Sequence, residues 1–453
     1  MTTTPPPASL TDVPPAALLG EIETILAEVV TGLTPVVAPD RAPHSPGRPP
    51  ILPAFLVWGT LLVGVVRGLR SQADCFRLLG IGLWGHAPIE VSEQALRHRW
   101  ARAGTGPLEQ CFAAVSALVD ARLAPWRARW GGPTLAPFAS DVVVVDETTL
   151  DQVARSIPAL RGVPPGDDRL LPGKLAGVFD VRRQSWRVLR WVAAIHQNEK
   201  VIARELIAAL APGSLILTDL GYFGFQWFDD LTDAGHWWLS RLRAKTSTVV
   251  LHTFLTTDTY RDQLVWLGAY RADRAKHAVR LVEVKVGGHW HRYLTNQLDP
   301  VVFPAADVVA LYARRWDIEL AIRLVKDHLG LGLLWSANPL LIQQQVWAVL
   351  CIAQILQGLR LEIAARAEVE PFEVSIELLV RWAPRLAAEG RDWLTIFVED
   401  GRRLGFIRPS RRLQLVLPAV APDALTPLPP DCIRTRIPRY AHRNAGPRST
   451  AVA

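Results

Sequence analysis

The chain has 453 residues, of which 49% are hydrophobic and 21% are charged. This balance excludes an intrinsically disordered protein, and the length allows two to four domains or one large core with additions. The net charge of +7 favours an anionic partner without naming it. Arg supplies 44 of the 50 basic residues. This Arg excess is compatible with phosphate contacts, although a GC-rich coding genome produces the same bias.

Cysteine usage and apolar stretches point away from metal clusters, disulfides and membranes. The four Cys are isolated, so neither a zinc site nor a disulfide framework is indicated. The N-terminus lacks the basic start and apolar core of a signal peptide. The uncharged stretch Pro49–Val66 is interrupted by Pro and Gly and predicts a buried helix rather than a membrane span. We therefore expect a cytoplasmic protein with no membrane partner.

The first 125 residues combine a proline-rich start with helical patterns. Residues 1–50 are predicted to be a partly disordered segment around one helix, and residues 51–125 a helical domain. Ser92 is a plausible N-cap for a helix over Glu93–Arg102. That helix fits two interpretations, the reading helix of a helix-turn-helix or an ordinary amphipathic helix in a bundle. Residues 1–125 carry 9 basic and 10 acidic side chains, so no excess of positive charge supports the helix-turn-helix interpretation.

The sequence pattern changes at about residue 140, where short apolar runs predict strands. Three strands, a helix, a strand, a helix and a strand follow one another, which is the order of a ribonuclease-H-like α/β fold. We expect this domain to cover residues 140–335, with a β-rich insertion at about 243–300. The predicted elements are strands at Val142–Val145, Leu175–Asp180, Trp186–Ala193, Ser214–Thr218 and Trp237–Arg241, helices at Lys200–Leu210 and Phe225–Ala234, and in the insertion a hairpin of Val279–Val286 and His289–Leu294.

The C-terminal part is predicted to be helical and then basic. Helices are expected near Leu341–Ala367 and Phe372–Ala388, in a region covering residues 336–400. The tail, residues 401–453, contains ten Arg against two Asp. We predict that it makes nonspecific phosphate contacts. The alternative is a tail that packs on the protein or mediates dimerisation.

Two acids follow buried strands. Asp146 comes after the run VVVV, and Asp219 comes after LILT. Taken alone, such an acid often only caps the following turn. In the predicted order, however, the first and fourth strands are neighbours, so their carboxyl ends can bring both Asp side chains together at one edge of the sheet.

A third acid lies in a predicted helix over Leu311–Gly330. On a helical wheel, Tyr312, Arg315, Glu319 and Lys326 fall within about 60° of one another, beside an apolar stripe. The Arg315–Glu319 spacing is also common on solvated helix surfaces. Three converging carboxylates repel each other, and hard divalent cations such as Mg²⁺ or Mn²⁺ relieve that repulsion. Two such ions can activate water at a phosphate.

The spacing Tyr-x2-Arg-x3-Glu-x6-Lys, with D-E-T-T at the first acid and D-x-G-Y at the second, resembles the DDE transposases of the insertion-sequence-four group. The resemblance covers about 190 residues, Asp141–Gly330. It implies that Asp146, Asp219 and Glu319 are catalytic and bind the metals. It also implies DNA contacts by signature residues, by a neighbouring Trp and by an Arg-containing segment after the second acid. Some relatives hold a flipped base with an aromatic side chain on the preceding hairpin, and the aligned residue here is His291. The implied DNA-contacting residues are Tyr312, Arg315, Trp316, Lys326 and Arg241.

Three functions remain open from the sequence. The first is a transposase that binds the inverted repeats of an element as a dimer on paired ends, cuts with metal-activated water and joins the 3′-hydroxyl to target DNA. The second is a domesticated or decayed relative that binds DNA without cutting it. The third is an unrelated two-carboxylate hydrolase such as a glycosidase.

Overall fold

The computed structural model describes residues 21–37, 52–126, 135–150, 162, 173–269, 273–331, 334–336, 338–410 and 420–440. The predicted proline-rich pieces at 1–20 and 38–50, and residues 411–419 and 441–453 of the tail, lie outside these ranges. Within them, the protein is a mixed α/β structure in which helices cover both faces of one large sheet.

The N-terminal region is helical, as predicted. The Ser92 hydroxyl accepts a hydrogen bond from the amide of Ala95 and caps the predicted helix at its expected start. Leu96 and Trp100 of that helix are buried, and the Trp100 indole donates to the Val57 carbonyl at 3.0 Å. The helix therefore packs as an amphipathic member of a bundle. The helices are α1 (Glu21–Val37), α2 (Ala54–Val66), α3 (Gln72–Ile81), α4 (Glu93–Ala103) and α5 (Gly106–Leu123).

The sheet begins at residue 142 and has the order β3-β2-β1-β4-β5-β9-β8-β7-β6. The predicted pairing of the first and fourth strands is confirmed: β1 and β4 are parallel neighbours. Strand β5 is parallel to β4, whereas β2 is antiparallel to both β1 and β3. The strands and intervening helices are β1 (Val142–Thr149), β2 (Lys174–Asp180), β3 (Ser185–Val192), α6 (Glu199–Ile207), β4 (Leu215–Leu217), α7 (Phe225–Asp233), β5 (Trp237–Arg241), β6 (Thr248–Thr256), β7 (Tyr260–Leu267), β8 (Val279–Val286) and β9 (His289–Thr295).

Alternation along the central strands builds two separate cores. Val142 and Val144 of β1 face a large core that includes the N- and C-terminal helices. Val143 and Val145 face a smaller core with α6 and α7. A strand buried on both faces reads as a continuous apolar run, which explains the unbroken valines.

The predicted β insertion is an extension of the same sheet. Strand β9 pairs antiparallel with β5, and β6–β8 continue outward from it. Inside this extension, the fully buried Arg280 forms two hydrogen bonds with Asp262, at 2.8 and 2.6 Å, and a third with the carbonyl of Phe303. The insertion is therefore tied to the segment that enters the next helix.

The single helix predicted over Leu311–Gly330 is wrong in detail. The chain forms α8 (Ala305–Ala313) and then breaks at Arg314 and Arg315, whose amides bond the carbonyls three positions back. The helix α9 (Trp316–Arg323) and a π-helical turn (Leu324–His328) follow this break. The Leu329 amide bonds the Leu324 carbonyl, five positions back. Such turns are frequent at functional sites, and this one invalidates the regular wheel beyond Arg323.

The C-terminal region surrounds one long buried helix. Helix α10 (Pro339–Arg366) is buried on all sides and contacts α1, α2, α5 and β3. By length and composition it could cross a membrane, but its apolar window is wholly buried inside the protein, as expected for a central core helix. Two further helices, α11 (Ile376–Ala388) and α12 (Trp393–Glu399), pack on it.

Residues 420–440 of the predicted basic tail pack on the protein. Residues 420–440 run along β6–β8, with bridges from Thr435 to His277 and from Arg439 to Arg274. The Arg436 guanidinium lies 4.5 Å from the Trp266 ring centroid and donates to the carbonyls of Ala275 and Leu267. For Arg436 the packing alternative agrees with the structure, and the phosphate contacts of the other arginines stay a prediction.

Candidate active site

The register of three parallel strands brings two of the predicted acids to one level. Val144 of β1 is paired with Leu217 of β4. Asp146 lies two residues after Val144, and Asp219 lies two residues after Leu217. Asp146 lies inside β1 rather than at its end, because β2 continues to pair with β1 after β4 has stopped. Being two positions from Val144, Asp146 faces the large core, on the side of α9.

The same level continues across the next two strands. Leu217 is paired with Leu239 of β5, so Arg241 follows at the level of the acids. Arg241 is in turn paired with Tyr293 of β9. The Tyr293 ring packs against Tyr312 of α8, with ring centroids 5.3 Å apart. This row explains how residues far apart in sequence border one cleft.

Burial and neighbouring charge distinguish Asp146 from an ordinary surface acid. Burial raises the pKa of Asp146 to about 6, and the nearby carboxylates of Asp219 and Glu319 act in the same direction. The amide of Glu147, which donates to Asp146 Oδ1 at 2.8 Å, and the charge of Arg315 oppose that rise. All three predicted acids therefore interact electrostatically within one site.

Glu319 is held by the arginine of the signature. The Arg315 guanidinium donates to Glu319 Oε1 at 2.7 Å, and its side chain is only 12% exposed. Burial by itself would lower the pKa of Arg315, but the hydrogen bond to Glu319 and the charges of Tyr312, Glu319 and Asp219 raise it. The guanidinium thus bonds the helix acid and interacts electrostatically with both sheet acids.

Buried contacts fix α9 against the sheet. Asp317, two residues before Glu319, is buried and accepts hydrogen bonds from Gln184 at 2.7 Å and Arg314 at 2.8 Å. Arg314 also donates to the Val181 carbonyl in the turn between β2 and β3. The start of α9 is therefore clamped to the hairpin beside β1.

Lys326 returns from the π-helical turn to the first strand. Its ammonium donates to Thr148 Oγ1 at 3.2 Å and to the Thr149 carbonyl at 2.7 Å. Thr148 lies two residues beyond Asp146, on the same face of β1. Lys326 therefore borders the same cleft from its far end.

Trp316 and the hairpin aromatic lie at the outer rim. Trp316 is 54% exposed, and the Arg315 guanidinium lies 5.3 Å from its ring centroid. On the hairpin it is Trp290, not the aligned His291, that carries cationic neighbours: Arg261 lies 4.5 Å from its ring centroid.

Sequence reasoning missed a second set of charged groups on the opposite face of β1. The buried Lys174 ammonium donates to Glu147 Oε1 at 2.6 Å and to the Gln197 carbonyl at 2.7 Å. Burial raises the pKa of Glu199 at the start of α6, and the charges of Glu147 and Asp219 add to that rise. The pairing of Lys174 with Thr149 is what brings the lysine here, and no sequence spacing announces it.

The donor set fits a hard divalent cation. A Cβ at Gly221 would stand 3.0 Å from Asp219 Oδ1 and 3.2 Å from Glu199 Oε2, so glycine lets both carboxylates approach this loop without a shift. A carboxyl that holds its proton to about pH 6 is one that a cation would stabilise in its ionised form. Within the described residues, no three Asp, Glu, His or Cys side chains are already close enough to hold a metal ion. Asp146, Asp219 and Glu319 are the residues that would hold it.

Comparisons with known proteins point to one family. The family model described as Transposase DDE domain matches residues 188–355, which include Asp219 and Glu319 but begin after Asp146. The transposase InsG for insertion sequence element IS4 of Escherichia coli (strain K12) is 26% identical over 164 residues, covering 34% of this chain and 36% of that protein. A putative transposase, y4zB, of Sinorhizobium fredii (strain NBRC 101917 / NGR234) is 25% identical over 228 residues, covering 48% of this chain and 60% of its own length.

The chain thus spans between about a third and three fifths of the length of these relatives. Among solved structures, the cryo-EM structure of a piggyBac transposase synaptic complex with hairpin DNA aligns over 88% of this chain and 85% of its own, with 10% identity and a TM-score of 0.39. Residues 188–355 are thus similar to the transposase DDE domain, and part of the chain is similar to a transposase of the insertion sequence IS4.

Proposed function

We propose that this protein is a transposase that binds the inverted-repeat ends of an element and carries out metal-dependent strand cleavage and strand transfer. The observation that carries the proposal is the convergence of Asp146, Asp219 and Glu319. Two come to one level through strand register, and the third acts electrostatically on the first. Oxygen donors of this type suit phosphoryl chemistry.

We propose a ribonuclease-H-like catalytic domain over residues 140–335, extended by β6–β9. The strand order β3-β2-β1-β4-β5 supports this assignment, and so do the directions of the strands: β1, β4 and β5 are parallel, and β2 is antiparallel to them. The helical regions 51–125 and 336–400 then pack on one face of it, through α10. We propose that they orient DNA rather than take part in the chemistry.

Each residue of the site has a distinct task in this proposal. Mg²⁺ or Mn²⁺, when bound, would supply an activated water and stabilise the leaving oxygen. Arg315 can exchange its bond to Glu319 for a fork onto a DNA phosphate, which would release the Glu319 carboxylate at the moment that DNA arrives. DNA binding and completion of the acidic site are coupled in this way.

The remaining predicted contacts surround that exchange. Lys326 provides a point charge at the far end of the cleft, and Arg241 and Tyr312 border its sheet side. Trp316 offers an exposed ring for stacking at the element end. We propose that two copies act together on paired ends and that target DNA enters after cleavage.

The test is Glu319→Gln, with Asp327→Asn as a matched control. Both changes remove one negative charge, but Asp327 is exposed and outside the acidic cluster. Glu319→Gln keeps the side chain's shape, so we expect normal or tighter binding to duplexes carrying the inverted repeat. Cleavage in Mg²⁺ or Mn²⁺ should fall by orders of magnitude, because metal-ligand charge supplies much of the transition-state stabilisation. Asp327→Asn should cut normally.

Two results would count against the proposal. A Glu319→Gln variant that nicks the ends like the wild type removes Glu319 from the catalytic set. A wild type that binds the ends but never cuts them favours the relative that only binds DNA.

A further inference from the structure

A cavity of about 650 Å³ lies beside the loop that carries Asp219. It is bounded by the first turns of α6 and α7 and by the connection from β5 to β6. Four basic side chains line it: Lys200, Arg204, Arg243 and Lys245. Asp273 is the acid among the described lining residues.

The Arg243 guanidinium at the centre of this cavity is held by neutral groups. Arg243 donates to the Leu220 carbonyl at 2.8 Å, and its guanidinium lies 5.0 Å from the Phe223 ring centroid. Lys200 donates to the Phe223 carbonyl at 3.0 Å. Carbonyls and rings orient a cation without cancelling its charge, so Arg243 keeps a positive potential directed into the cavity.

The charge balance favours an anion. Neither Arg243 nor Lys245 forms an ion pair with an acid in the part of the chain that the structure describes. Arg204 differs, since it pairs with Asp230 at 2.7 Å. Helix α7 begins at the cavity with no acid in its first turn, so its positive end adds to the same potential.

We propose that this cavity binds the phosphate backbone of a DNA strand that passes the acidic site. The proposal rests on the transposase function, because it takes the strand to be one that leaves or enters the cleavage centre. Phe223 and Trp227 are only 6% and 1% exposed, so these rings support cations instead of stacking bases. Recognition here is therefore independent of base sequence.

One short loop joins the cavity to the acidic site. The loop from Asp219 to Phe223 presents its acid to the cleft, while its Leu220 and Phe223 carbonyls are held by the cavity's cations. A strand bound in the cavity is thereby positioned next to Asp219. Such a strand has two sources: host DNA flanking the element, or target DNA.

The double variant Lys200→Gln/Lys245→Gln tests this assignment. It removes two cavity charges and the Lys200 bond to the Phe223 carbonyl, and it keeps the Arg243 bond to the Leu220 carbonyl that holds the loop beside Asp219. The control, Arg187→Gln/Arg190→Gln, removes two exposed charges on β3, outside the cavity and outside the predicted DNA contacts. Binding is measured against salt for three duplexes: a random sequence, an inverted repeat with flanking DNA, and the same repeat ending at the cut.

We expect the slope of log affinity against log salt to become less steep by about one to two for the cavity variant, since each phosphate that the protein neutralises accounts for about 0.9 of that slope. A loss of affinity confined to the flank-containing duplex assigns the cavity to flanking DNA, and a loss that includes the random duplex assigns it to target DNA. Equal slopes for variant and wild type on all three duplexes, or an equal change of slope in the control, overturn the proposal. A wild type that binds but never cuts contradicts only the transposase function, since the slopes still decide the cavity.

Discussion

At the scale of single residues, the arginine of the signature is central to the site. Arg315 is mostly buried, touches Glu319, and acts electrostatically on Asp146 and Asp219. A guanidinium in that position can hold an acid and a phosphate in turn because its donors are arranged as a planar fork. An ammonium offers the same charge without that geometry.

We therefore predict that Arg315→Lys lowers cleavage although the charge is kept. Loss of one charge-assisted hydrogen bond, worth about 1.5–3 kcal/mol, corresponds to a roughly ten- to hundredfold lower rate. Arg323→Lys, an exposed position on the same helix, is the control and should cleave normally. Rates from single-turnover cleavage of end duplexes decide the matter, and equal rates for both variants would remove Arg315 from the mechanism.

A buried histidine gives a prediction about pH and stability. His236 is 6% exposed, and its Nδ1 has no hydrogen-bond partner among the described residues. Burial lowers the pKa of His236 below its ordinary 6.5. The unfolded chain then binds the proton more readily, so the free energy of unfolding should fall as pH drops below 6.5 and be constant above it.

His236→Leu should remove that dependence. The difference in unfolding free energy between variant and wild type should change by at most about 1.4 kcal/mol per pH unit below 6.5, where one proton is involved. Urea denaturation at several pH values measures it. Parallel curves over the whole range would show that His236 keeps an ordinary pKa in the folded protein.

At the scale of elements, α10 is the component on which the helical regions depend. It lies against α5 so closely that a Cβ at Gly358 would stand 2.5 Å from Val119 Cγ1. The absence of a side chain at this point sets the distance between the two helices. Glycine costs about 1 kcal/mol of helix propensity relative to alanine, so its presence here reflects packing.

We predict that Gly358→Ala destabilises the protein by about 1–3 kcal/mol through overpacking, despite the better helix propensity. Val119→Ala in the same chain should recover a large part, because the Val119 Cβ would lie 3.5 Å from the new methyl group. Thermal or urea unfolding of the two single variants and the double variant gives the coupling. Simple additivity of the two changes would contradict the close contact.

At the scale of the whole molecule, the C-terminal segment joins the helical end of the chain to the outer strands. Residues 420–440 lie along β6–β8, and the Tyr440 hydroxyl donates to Asp229 of α7 at 2.8 Å. Arginines that looked available for phosphate are partly engaged by the protein itself. Arg436 is the clearest example, with contacts to one ring and two carbonyls.

Arg436→Ala should consequently lower stability, by about 1–3 kcal/mol, and leave the salt dependence of DNA binding unchanged. The exposed Arg402→Ala in the same region is the comparison for stability. Denaturation and salt titration are both needed. Normal stability together with a less steep salt slope would make Arg436 a DNA contact and restore the phosphate-binding interpretation of the tail.

The sequence by itself determined the order of the elements and predicted which acids form the site. The valine run of β1, the cap at Ser92 and the central strand pattern are local signals, because burial on two faces and helix capping leave their mark on adjacent residues. The pairing of the first and fourth strands followed from that order. The signature spacing indicated which helix to examine.

Only the tertiary structure decided how these parts meet. The level of Asp146, Asp219 and Arg241 depends on register between strands, and the break before Trp316 with the π-helical turn after Arg323 depends on packing against β1 and the β2–β3 hairpin. The Lys174–Glu147 contact and the packed tail join residues distant in sequence. Long-range contacts of this kind leave no periodicity in the chain, since each partner is chosen by the fold and not by its neighbours in sequence.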